Sequence, residues 1–195
     1  MSGMSLLLLF IYSAFTINLV LQCAIGIKGV AESAKPVDVS TLSKSFIMFL
    51  SIVLLWFFFS RMLFPLVSGI FIYIILFPVS ALLYNCLEYL LFRYILKKQA
   101  EDEKIISFPT GFTAAAVFIC INISKNLMET IVLSFGFIAG VFIINFIIME
   151  IRKRASLEAV PVFLRGKPLV LAAMGLLSLV FTTASLLLFR MISVG

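Results

Sequence analysis

The stretch Ala159-Val-Pro-Val-Phe-Leu-Arg-Gly-Lys-Pro-Leu-Val-Leu-Ala-Ala-Met-Gly-Leu-Leu-Ser-Leu-Val-Phe181 decides the fold class. It joins two unlike pieces. Pro161, Arg165, Gly166, Lys167 and Pro168 form a basic, turn-rich lead-in. It cannot be helical throughout, because each proline lacks an N–H and restrains the residue before it. An apolar run follows, with Ala172, Ala173, Gly175 and Ser178 set into it. Small residues of this kind let transmembrane helices approach closely. The reading is a membrane-spanning helix entered through a basic turn.

The rest of the chain has the same character. Of 195 residues, 63% are hydrophobic and 12% charged, with 21 Phe and no His. A soluble domain carries roughly 45–50% apolar and about 25% charged residues, so these values leave little sequence for one. Cys23, Cys86 and Cys120 all lie in apolar runs, too few and too buried for a disulfide framework.

About 20 apolar residues carry a helix across roughly 30 Å of hydrocarbon. Six stretches meet or approach that length: 5–27, 45–60, 65–96, 106–123, 128–149 and 168–191. The predicted class is therefore an all-α membrane protein of six transmembrane helices, one integral membrane domain over residues 1–195. The second and fourth stretches are short, which predicts mismatch or an interruption there. The third is long and carries Pro78, which predicts a kink or tilt. The first lacks the basic flank and small-residue cleavage pattern of a signal peptide.

Twelve of the 15 Lys and Arg residues fall in the gaps after the first, third and fifth stretches or, for Arg93, at the end of the third. Only Arg61, Lys125 and Arg190 lie on the opposite side. The positive-inside bias then places those three loops in the cytoplasm and both termini outside. Charge sorted this way explains the net +6 without a nucleic-acid partner; the lipid bilayer is the partner it implies.

Spans one to three and four to six face opposite ways, which permits two inverted three-helix repeats. Gly26 and Gly29 interrupt the inner end of span one, and Pro109 and Gly111 the inner start of span four. Both places fit broken helices lining a buried site. They also fit ordinary helix capping by Gly and Pro, and the sequence leaves both readings open.

The C-terminal stretch resembles the RnfA-type membrane subunits of Rnf and Nqr electron-transport complexes. Their last span is entered through Val-Pro-x-x-x-Arg-Gly and continues Ala-Gly-Leu-x-Ser-Leu-x-Phe. The matching positions are Val160, Pro161, Arg165, Gly166, Gly175, Leu176, Ser178, Leu179 and Phe181, with Met174 in place of Ala. Asn18 onward is similar to the first span of that family, with Gly26 at its glycine, and 108–117 is comparable to its fourth. The resemblance implies two inverted halves with half-helices in spans one and four. It implies a subunit of a redox-driven, ion-translocating complex moving Na⁺ or H⁺. Its partners would be a sister subunit of opposite topology and subunits carrying flavins and iron–sulfur clusters.

The family holds a [2Fe–2S] cluster between the two sister subunits on cysteines of spans one and four. The aligned positions here are Lys28 and Ala115, which cannot ligate iron, and no His is present to substitute. Cys23 and Cys120 stand five residues away on the outward side of each, roughly 7.5 Å along a helix. They are the displaced candidates for a shifted cluster, and small apolar packing residues otherwise. These departures open a second reading, a non-redox permease or scaffold that kept the fold. No complete active site is present in the chain. Glu88, inside an apolar run, is the candidate for an ion or proton pathway, or else pairs locally with Arg93. Asn122 and Asn145 are expected to hydrogen-bond between helices.

Overall fold

The computed structural model describes residues 3–22, 39–63, 70–91, 93, 108–157, 161 and 166–194. All elements among them are helical. They are α1 (Gly3–Ile11), π1 (Tyr12–Thr16), α2 (Val39–Phe58), π2 (Phe59–Leu63), α3 (Ile70–Leu91), α4 (Phe108–Ile123), α5 (Leu127–Leu157) and α6 (Lys167–Val194). Four of these helices contain stretches long and apolar enough to cross a bilayer: Leu42–Arg61, Ile74–Leu91, Leu127–Ala155 and Pro168–Leu187. Leu6–Thr16 and Thr110–Ile123 are shorter apolar helices. The chain is a multi-pass, all-helical membrane protein.

The bounds differ from the sequence reading in instructive ways. The second stretch is not short. Helix α2 begins at Val39 and π2 carries the helical path to Leu63. Ser40, Thr41 and Ser43 are polar yet helical, so hydropathy alone cut this helix off at its N-terminus. Helix α3 remains helical through Pro78. Just beyond it the Ser80 hydroxyl turns back to donate to Phe77 O at 2.8 Å. Helix α5 extends past the expected 149 to Leu157, with its charged last turns held in part by Arg154 Nε donating to Glu150 Oε1 at 3.4 Å.

The chain folds as two compact units. One comprises Val37–Phe135. In it α2, α3 and α4 pack against one another. Ile47, Ile52, Leu55, Phe59, Tyr84, Phe112 and Leu133 are fully buried. Two of its buried hydroxyls are satisfied on their own helices: Ser51 donates to Ile47 O at 2.7 Å and Thr113 to Thr110 O at 2.9 Å. Such back-bonding lets a hydroxyl sit in an apolar interior without an orphaned donor.

The other unit comprises Met1–Pro36 and Gly136–Gly195. Here α6 packs on π1, with the rings of Phe15 and Phe181 stacked 5.4 Å apart. Gly166 takes φ +85°, a left-handed conformation that only glycine adopts without strain, and α6 starts at the next residue. Pro168 falls in the first turn of α6, where its missing N–H costs nothing. The turn-then-helix reading of the C-terminal stretch is what the structure shows from Gly166 onward.

Candidate functional site: a broken helix against two glycines

The first apolar stretch does not run straight through. Helix α1 widens into π1, closed by Ile17 N–H donating to Tyr12 O at 3.0 Å. Ile17 then leaves helical space at φ −100°, ψ 53°. One further turn begins at once, with Gln22 N–H donating to Asn18 O at 2.8 Å. The interruption lies eight or more residues before Gly26 and Gly29, which fall outside the described residues.

Asn18 bridges the break. Its Nδ2 donates to Ala14 O at 2.9 Å, satisfying a carbonyl at the end of the first segment. Its Oδ1 accepts from Val20 N at 3.1 Å and Leu21 N at 3.3 Å, capping the start of the next. One side chain therefore serves as C-cap and N-cap together. The site is dry: Ser13, Ala14 and Val20 are fully buried and Asn18 is nearly so. Backbone exposed at such depth needs this compensation, because hydrocarbon offers no hydrogen bonds.

Helix α5 supplies the wall. Gly136 and Gly140 are four residues apart and face the break. A Cβ on Gly136 would strike Ser13 Oγ and stand 2.9 Å from Phe10 O. A Cβ on Gly140 would stand 2.8 Å from Ala14 O and 2.9 Å from Asn18 Nδ2. Only glycine permits this approach. The pair Gly136-x-x-x-Gly140 is a helix-packing signal fully visible in the sequence, and the sequence reading passed over it in favour of the C-terminal stretch.

The second cluster lies in the unit of Val37–Phe135, at the tight connection between α4 and α5. Glu129, nearly buried, accepts from Lys125 N at 2.7 Å across the first turn of α5. Thr130 Oγ1 donates to Ser124 Oγ at 2.8 Å, and Ser124 Oγ to Cys120 O at 2.5 Å. Ser134 Oγ donates to Thr130 O at 2.6 Å. The carboxylate near the N-terminus of α5 also complements the helix dipole. The chemistry available here is capping.

The remaining candidates are dispersed. Ala115 is half-buried and Cys120 fully buried on α4, within a helix unbroken from Phe108 to Ile123. Pro109 and Gly111 form part of its first turn. The Cys120 thiol lies near the Ser134 hydroxyl. Cys86 is exposed on α3. Glu88 is half-buried one turn from the end of α3, and Arg93 lies over the Tyr89 ring, 5.4 Å from its centroid, with its guanidinium on the Tyr89 hydroxyl. Asn122 donates to Phe118 O within its own helix at 2.7 Å. Asn145 Oδ1 is buried with no hydrogen-bond partner among the described residues. Pro161 is exposed and non-helical. Cys23, Lys28 and Arg165, like Gly26 and Gly29, lie outside the described residues.

Ala115 and Cys120 are the two described positions that bear on a [2Fe–2S] cluster shared with a second subunit. Ala115 offers no ligand, and the Cys120 thiol is packed against Ser134. No three His, Cys, Asp or Glu side chains converge among the described residues. Compared with known proteins, the chain matches no family model and no curated sequence.

Proposed function

We propose that this chain is an integral membrane subunit of a redox-driven, ion-translocating complex of the Rnf/Nqr kind. The observation that carries the reading is the break at Ile17–Asn18. A half-helix in span one is what the resemblance of Asn18 onward and of 160–181 implies, and a break capped by a single asparagine against two glycines is built for a defined structural purpose. In this reading six spans form two inverted halves in a bacterial or archaeal inner membrane, with both termini outside and loops one, three and five cytoplasmic. The chain pairs with a sister subunit of opposite topology. Together they form the membrane core between flavin- and iron–sulfur-bearing subunits, and coupling is to Na⁺ or H⁺ movement. Glu88 is the residue of this chain assigned to the ion or proton path.

A specific observation favours a second reading, a permease or scaffold without redox chemistry. Lys28 and Ala115 stand where the resembling family carries thiolates, and Cys120 packs against Ser134. Electron carriage by this chain itself is therefore not part of the proposal.

The test is affinity purification from native membranes in mild detergent, followed by flavin and iron analysis. The expected outcome is copurification with flavin- and iron-bearing subunits. A chain that purifies alone, stable and without redox partners, sinks the reading. Iron analysis and EPR of a Cys23→Ala/Cys120→Ala double variant decide the displaced-ligand idea separately: any cluster signal that survives both substitutions rules it out.

A further inference from the structure

We propose that the C-terminal half of α5 is wetted: a short file of water molecules enters at the Arg152 end and stops on the side-chain oxygen of Asn145. The proposed function would give such a file a use, as an approach for the coupling ion. The file goes beyond that reading and does not rest on it.

One orphaned atom carries the inference. Asn145 Oδ1 is enclosed by its own chain and accepts no hydrogen bond. The oxygen does not find the interhelical donor that the sequence predicts for it. The middle residue of the apolar stretch Leu127–Ala155 is Val141, so Asn145 stands four residues, about 6 Å, from the middle of the span. A buried carbonyl without a donor at that depth is costly, and proteins fill such places with a partner.

The helix shows where the partner comes from. Phe135 and Phe146 are exposed and mark the lipid side of α5. Asn145 is turned about 100° from Phe146. Ile144 and Ile148, fully buried, close its other flank. Met149 and Arg152 follow Asn145 at helical spacing, and both are half-buried. This strip leads from near the middle of the span to its charged end over about 10 Å. Lys153 and Arg154, beyond it, are exposed.

The occupant is small and neutral. An enclosed atom is out of reach of a second polypeptide or a lipid headgroup. An anion does not bind a carbonyl oxygen. A bare cation would sit below Arg152, Lys153 and Arg154 in a medium that screens little, and Glu150 is already bonded to Arg154. Water carries no charge and donates to a carbonyl. An isolated water would lack the two to four partners that buried waters keep. With oxygens about 2.8 Å apart, three or four waters in line cover the strip, give each member two neighbours, and meet bulk water around Lys153 and Arg154.

Hydroxyl-radical footprinting of the full chain in lipid vesicles tests this, because X-rays make the radicals from water where it stands. Met149 lines the strip and reports as its sulfoxide by mass spectrometry. It should oxidise well above Met48 and Met174, which are 5% and 3% exposed. Asn145→Leu keeps the volume and removes the acceptor; it should bring Met149 down to the rate of Met174 and leave the exposed Met128 unchanged. A rise at Met48 and Met174 would mark a misfolded variant, and Asn145→Ala, which deletes the same oxygen without added bulk, then takes its place. Met149 as protected as Met174 in the wild type overturns the file. So does a rate at Met149 that ignores the loss of the Asn145 oxygen, since that water would be interfacial. Protection of Met149 by Na⁺ but not by choline would make the occupant a cation and also overturns it. Copurification with flavin- and iron-bearing subunits is a separate readout, so the file and the proposed function fail independently.

Discussion

Asn18 and the two glycines opposite it test the break most sharply. Asn18→Leu keeps the volume and removes three hydrogen bonds, leaving Ala14 O, Val20 N and Leu21 N without partners in a dry site. Each unsatisfied buried group costs about 1–3 kcal/mol, so the variant should melt well below the wild type in detergent, as read by fluorescence-detected size exclusion. Gly140→Ala should also destabilise, by about 1–3 kcal/mol, because the new methyl meets backbone rather than a movable side chain. Gly175→Ala is the counterpart with open space around it. It should leave the isolated chain unchanged or raise its stability by about 0.5–1 kcal/mol, since alanine is the better helix former. Equal losses at 140 and 175 would contradict the packing described.

At the scale of elements, the α4–α5 hairpin is fastened by Glu129 and the Ser124–Thr130 hydroxyl pair. Glu129→Ala frees Lys125 N and removes a carboxylate from a helix N-terminus. It should cost about 1 kcal/mol, while Glu129→Gln, which still offers an oxygen to that N–H, should lose less. A melting series of the two variants checks the order. Most of these elements were legible in the sequence, since apolar runs and the Pro161–Pro168 lead-in mark where helices lie and where one starts. The position of the break was not. Phe15-Thr-Ile-Asn-Leu carries no Gly or Pro, and Ile17 is a poor turn residue. The chain unwinds there because Gly136 and Gly140, far along the sequence, accept the kinked backbone, and Asn18 repairs it. Gly26 and Gly29 carry the composition of a break, yet local composition did not locate this one. The glycine pair itself was readable; its target was not, because no local pattern says which helix a glycine face will meet.

For the whole molecule, the sorted charges predict a sidedness that the proposed function requires. Single cysteines introduced at Lys125 and Lys104, in a background with Cys23, Cys86 and Cys120 replaced, separate the two sides. A membrane-impermeant maleimide should label position 125 in intact cells and position 104 only after the cells are opened. The reverse pattern would invert the topology and remove the basis for an RnfA-type orientation. Candidate ligand positions were legible only as departures, since lysine and alanine at 28 and 115 exclude thiolate chemistry without stating what replaced it.

The glycine pair also sets the timing of biogenesis. Ile17 and Asn18 leave the ribosome well before Gly136 and Gly140, the two positions that accept the kinked backbone. Lipid penalises open peptide groups by several kcal/mol, so a break without its glycine wall is costly in the nascent chain. At ~5–20 residues per second, Gly136 follows Asn18 by roughly 6–24 s. A chain stopped before Gly136 is therefore expected to lack the packed break.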